Sequence, residues 1–168
     1  NKFFSFSSSH ILLYHSVFKT IPSDLVGAIH NVTPDEIYQQ LKWLKNHFDV
    51  IIVDELLSLE NCEGKAAITF DDGYKSVFEE ALPILKSLNL PCTIFLNGCS
   101  LENKVFWRDK VRYLVNKSLV SSFIESNKEY CIKNYLELNN FYRRTKHKSI
   151  NSLEIEHLLD KFFRDKGL

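Results

Sequence analysis

The sequence predicts an α/β fold, parallel β/α units followed by a helical region. Three observations carry this reading. Short apolar runs alternate with segments of helical period as far as Gly98, no β-branched run recurs beyond it, and the charge balance changes sign at that place. The 168 residues and 19.6 kDa fit one domain of ordinary size or a large piece of a bigger one. With 45% hydrophobic and 25% charged residues, the chain has the apolar mass for a core and is no disordered tail. Its 21 basic and 21 acidic side chains cancel, so no global field argues for nucleic acid or an anionic membrane. The sum hides an asymmetry: residues 1–98 carry 7 Lys/Arg against 12 Asp/Glu, a net of −5, and residues 99–168 carry 14 against 9, a net of +5. The chain therefore divides into a β/α portion, residues 1–100, and a basic helical insertion or lobe, residues 101–168.

The elements follow in order. Ile11-Leu12-Leu13-Tyr14-His15 is a short apolar run that predicts a buried strand ending in a histidine. Apolar residues at Ile37, Leu41, Leu44 and Phe48 recur at helical spacing, with Thr33 as N-cap and Pro34 at the first helical position. Residues 50–53 read as a four-residue strand and residues 54–59 as a short helix or turn. Residues 66–70 are the next strand, Asp71-Asp72-Gly73-Tyr74 a turn, and Val77, Ala81, Ile84, Leu85 and Leu88 a helix that Pro83 kinks or interrupts. Residues 92–96 form another strand, closed by Asn97-Gly98. Beyond it, Phe106-Trp107, Val111, Leu114, Leu119 and Phe123, then residues 136–142 and 153–163, predict three or four helices.

No run reaches the roughly 18 apolar residues a membrane span needs, and no basic, apolar, small-residue series resembles a secretory signal. The chain holds no Met and begins at Asn1, which reads as a processed or excised start. Cys62, Cys92, Cys99 and Cys131 form no Cys-x-x-Cys pair, so reduced thiols are expected. That usage leans toward a cytoplasmic setting, with export open if an upstream segment was removed.

In parallel β/α architecture, catalytic groups collect at the C-terminal ends of the strands. His15 closes the first strand here and Asp71-Asp72 the third, so parallel pairing would open all three onto one end of the sheet. Adjacent carboxylates can divide between holding a metal and taking a proton from water, and a histidine can protonate a leaving group. The set suits hydrolysis of an amide or ester. Asp-Asp-Gly before a helix is equally ordinary turn and cap chemistry, and His147, His157 and the basic run 143–148 read as solvated surface.

The flanks of the acidic pair add a resemblance. Thr69-Phe70-Asp71-Asp72-Gly73-Tyr74, between an apolar strand and a helix, resembles the first signature of the polysaccharide deacetylases, carbohydrate esterase family 4. Leu12-Leu13-Tyr14-His15-Ser16-Val17 is similar to the opening of that family's circularly permuted poly-N-acetylglucosamine deacetylase branch, as is the stretch from Thr33-Pro34 to Leu57. The likeness covers about residues 10–115. It implies the N-terminal part of a distorted (β/α) barrel of the NodB-homology kind. The activity implied is removal of acetyl groups from an N-acetylated oligosaccharide, polysaccharide or glycoconjugate, with a divalent metal, commonly zinc. By position the resemblance makes Asp71 the general base, Asp72 a metal ligand and His15 the general acid, with Gly73 shaping the turn and Tyr74 lining the substrate pocket. The family's second signature, His-Ser/Thr-x-x-x-His, which supplies two histidine ligands, has no match in these residues. The expectation is a chain truncated before those ligands, whose own activity is in doubt. A noncatalytic glycan-binding module and an interaction protein on the same scaffold are the alternatives. A phosphoryl-transfer receiver is a further one, but it wants an Asp closing a later strand, and Leu96 is followed by Asn97-Gly98.

Overall fold

The computed structural model describes residues 8–25, 29–102 and 104–168. They form two compact units, one of residues 8–21 and 29–102, the other of residues 22–25 and 104–168.

The first unit is organised around one strand. β1 (His10–Tyr14) runs parallel to β3 (Lys65–Phe70), with Tyr14 opposite Phe70. The other flank of β3 is shared by two short parallel strands. β2 (Asp49–Val50) pairs with its beginning and β4 (Thr93–Ile94) with its end, Phe70 lying opposite Ile94. The mixed α/β class and the parallel sheet are those the sequence predicts. Ala66 to Phe70 are all buried, the near-continuous apolar run of a parallel strand covered on both faces. On one face Ile68 and Phe70 pack with Ile37, Leu41 and Leu44 of α1 (Pro34–His47); on the other, Ala67 packs with Val53 and Leu56 of α2 (Val53–Ser58).

α1 begins as expected. The Thr33 hydroxyl accepts from the Glu36 N–H while the Glu36 carboxylate accepts from the Thr33 N–H at 2.8 Å, a closed capping box with Pro34 inside the first turn. Two expected strands are shorter than their apolar runs. Residues 50–53 give only the end of β2, because Val53 already opens α2 and sends its N–H to Thr93 Oγ1 rather than along a ladder. In residues 92–96 only Thr93 and Ile94 lie in the strand, although the Phe95 N–H still reaches the Phe70 carbonyl at 2.8 Å. Asn97 does not simply close that strand: its side chain caps the short α4 (Gly98–Leu101). The helix after the acidic turn opens in a wide π turn, Val77–Ala81, and becomes α3 (Leu82–Leu88) where Pro83 falls. Pro83 has no N–H to give to the turn before it, so the register changes there.

The second unit has five helices among the described residues: α5 (Trp107–Asn116), α6 (Val120–Ser126), α7 (Lys128–Lys133), α8 (Phe141–Thr145) and α9 (Ser152–Lys166). This exceeds the three or four expected. The apolar spacing of residues 136–142 suggests a helix, yet Leu136 is buried outside any helix and the helix starts at Phe141. The core is aromatic, with Phe123 edge-on to Phe141 and Phe162 at 5.5 and 5.4 Å. A short 3₁₀ turn, Ser23–Leu25, belongs to this unit as well, which the charge boundary did not suggest. Asn116 donates to the Asp24 carbonyl at 2.5 Å and Lys117 pairs with the Asp24 carboxylate, holding it below its usual range. His147 and His157 are exposed, but Arg144 of the basic run is partly structural, its Nε donating to the Asn134 carbonyl at 2.8 Å. All four cysteines are free. No helix among the described residues is long and apolar enough to cross a membrane.

Candidate functional site

The β1–β3 register brings His15 and Asp71 to neighbouring strand ends. Tyr14 lies opposite Phe70, and the Asp71 N–H extends the ladder by one bond to the Tyr14 carbonyl at 2.9 Å. Both residues are half-buried. The chain then turns sharply. Asp72 has φ 69° and Gly73 φ 71°, two consecutive left-handed residues, which Asp tolerates and glycine adopts freely. A Cβ on Gly73 would stand 2.7 Å from Leu96 Cδ2, so the turn passes close by the end of β4. Tyr74, also half-buried, accepts at its carbonyl the Val77 N–H that starts the following helix, at 2.9 Å.

The loop after β1 is held as firmly. The Ser16 N–H and hydroxyl both reach the His30 carbonyl, and the Val32 N–H returns to the Ser16 carbonyl, a one-residue parallel bridge between Ser16 and Asn31. Asn31 Oδ1 accepts from the Phe18 N–H at 2.7 Å and its Nδ2 donates to the Phe18 carbonyl. This bridge sets the His30 ring 5.2 Å from the His15 ring. A cleft of about 380 Å³ opens beside them, lined by residues 13–16 and 29–32. The structure brings the histidine and the acidic pair to one sheet end, and Asp71 and Asp72 are not among the residues that line this cleft.

Below the site, the Tyr14 hydroxyl donates to Gln40 Oε1 at 2.8 Å, and burial pushes its pKa up to about 12. The ring packs 5.5 Å from Phe70 and is structural.

Three residues at this sheet end escape the sequence reading: His30, Asn31 and Ser76. His30 and Asn31 lie in the loop before the Thr33 cap, where no periodicity marks them. Ser76 sits in the first turn after the acidic pair as an unremarkable small polar residue. It is 2% exposed and its Oγ accepts the Val17 N–H at 3.1 Å.

A divalent metal does not fit the described residues by themselves. Catalytic zinc takes about three protein ligands. Among the described residues no three or more His, Cys, Asp or Glu side chains gather closely enough to hold an ion, and Asp72 would offer one carboxylate.

A parallel β/α scaffold with a histidine and an acidic pair at adjacent strand ends defines the class. Within that class, residues 59–129 match the polysaccharide deacetylase family model. The match holds Asp71 to Tyr74 and continues into the second unit. The chain is also similar to YxkH of Bacillus subtilis, assigned as a polysaccharide deacetylase, at 31% identity over 100 residues, 56% of this chain and 33% of that protein. It thus spans about a third of the length of that relative. Among solved structures, IcaB from Ammonifex degensii overlaps 66% of this chain and 50% of its own, at 19% identity and a TM-score of 0.49. The Streptococcus pyogenes deacetylase PplD, in complex with acetate, overlaps 89% and 79% at 19% identity and a TM-score of 0.48.

Proposed function

We propose that the protein is a carbohydrate N-deacetylase, a hydrolase of the amide bond in N-acetylated sugars, with residues 101–168 as a helical insertion or lobe. The observation that supports it most is the parallel β1–β3 register, which sets His15 beside the Asp71–Asp72 turn at neighbouring strand ends, the turn lying within the residues that match the family model. In this reading Asp71 takes a proton from the water that attacks the acetyl carbon. The C–N bond then breaks, and His15 gives the departing sugar amine its proton, leaving acetate and a free amine. Tyr74 and Gly73 border the sugar. Asp72 would contribute one carboxylate to a divalent metal, zinc by the chemistry of the family, which would polarise the acetyl carbonyl when bound. The described residues do not complete the ligand set of that ion.

The test is metal content by elemental analysis, with acetate release from N-acetylglucosamine oligomers, on this chain and on the longest form of its gene product. About one zinc per chain and acetate release in the longer form support the reading. There, Asp71→Asn should cut turnover by about 10²-fold or more with metal retained, Asp72→Ala should lose both, and His15→Ala should slow turnover with metal unchanged. Full rate in Asp71→Asn would remove the base assignment. Neither metal nor acetate in either form would favour a glycan-binding module on the same scaffold.

A further inference from the structure

We infer that the Ser76 hydroxyl is a positioning group that keeps His15 in register with the Asp71–Asp72 turn. Two bonds tie the loop after β1 to the segment after β3, one on each side of His15. Before it, the Tyr14 carbonyl accepts the Asp71 N–H at 2.9 Å. After it, the Val17 N–H donates to Ser76 Oγ at 3.1 Å, with Val17 0% and Ser76 2% exposed. One bond is a hinge about which the loop can rotate; the second removes the rotation. The remaining bonds of Ser16 and Phe18 run to His30, Asn31 and Val32, so they fasten the loop to the segment before α1 and not to the acidic turn.

Replacing the hydroxyl by a methyl group leaves the Val17 N–H buried without an acceptor, a costly state that the loop relieves by moving toward water. His15 then shifts while the Tyr14–Asp71 bond survives. The use made of this register rests on the deacetylase reading; the register itself does not.

The test compares Ser76→Ala and Ser76→Thr in the whole chain by amide hydrogen exchange and by the NMR signals of the histidine rings. In Ser76→Ala the Val17 amide should exchange about tenfold faster. The His15 ring signals should move and broaden, while the Ile68 amide and the His47 ring stay as they were. Ser76→Thr, which keeps the oxygen, should restore both. If Ser76→Ala does not fold, Ser76→Cys against Ser76→Thr makes the same comparison, since sulfur is the weaker acceptor. His15 signals that stay in place while Val17 loses protection overturn the proposal and leave Ser76 a structural residue. Neither metal nor acetate release in either form of the protein, with His15 displaced by Ser76→Ala, would sink the deacetylase reading and leave the positioning role standing.

Discussion

In the first unit the contacts that build the site join distant parts of the chain. Tyr14 lies opposite Phe70, Thr69 opposite Thr93, and the Val17 N–H finds Ser76. In the second unit the helices follow one another in sequence around Phe123, Phe141 and Phe162, short turns separating α5 to α9. Even so, its residues 22–25 come from far upstream. A sheet of short parallel strands is thus held by long-range register, and the helical unit by side-chain packing. Register errors therefore threaten the first unit, whereas lost volume threatens the second.

The sharpest test of this contrast is Phe123→Ala. Phe123 is 0% exposed and sits between two other rings, so the cavity should cost about 3–5 kcal/mol. Each unit holds one tryptophan, Trp43 in the first and Trp107 in the second, so denaturation followed by fluorescence in a Trp43→Phe background reports on the helical unit. A loss below about 1 kcal/mol would mean that the aromatic cluster is not what holds that unit.

Smaller effects are expected in the first unit, where backbone and caps matter more. Gly73→Ala should cost about 1–2 kcal/mol, chiefly for forcing a side chain into φ 71°, because the Leu96 methyl it meets belongs to an exposed side chain that can give way. Chemical denaturation read through Trp43 checks it; an unchanged midpoint would show that the turn opens without cost. Thr33→Ala should cost about 1 kcal/mol of the same unit's stability by removing the cap of α1. The Thr33 N–H, and then its hydroxyl, hold the Glu36 carboxyl below its ordinary 4.5. That stabilisation is complete above 4.5 and disappears as pH falls through the lowered folded value, so Thr33→Ala, which removes the hydroxyl and keeps the N–H, should flatten the acid side of the stability curve only in part.

The smallest effects set two buried phenols against each other. The Tyr14 hydroxyl has Gln40 as partner, while the Tyr130 hydroxyl is buried without one among the described residues. Tyr130→Phe should be neutral or slightly stabilising, and Tyr14→Phe should cost up to about 1 kcal/mol. Burial raises both from 10.0 to about 12. The folded state keeps a proton that the unfolded state has lost, so stability is intact below pH 10.0 and declines as pH climbs toward about 12. Tyrosinate absorbance with denaturation at alkaline pH measures this, and the double Phe variant should weaken the decline.

The sequence by itself determined the parallel β/α class, the cap at Thr33, the run of β3, the sharp Asp-Asp-Gly turn and the aromatic-rich helical region. Each is written in a few neighbouring residues, as a period, a cap or a turn. It could also place His15 and Asp71 at strand ends, since both follow directly on an apolar run. What it could not show were the short extents of β2 and β4, the fifth helix, the membership of residues 22–25 in the second unit, and the ring of His30 beside His15. Those outcomes depend on which distant partner a backbone group finds. Val53 leaves its run because Thr93 takes its N–H, and Ser76 becomes the partner of Val17 although 59 residues separate them. A hydrogen bond between distant residues leaves no local period in the sequence, so only the folded chain reveals it.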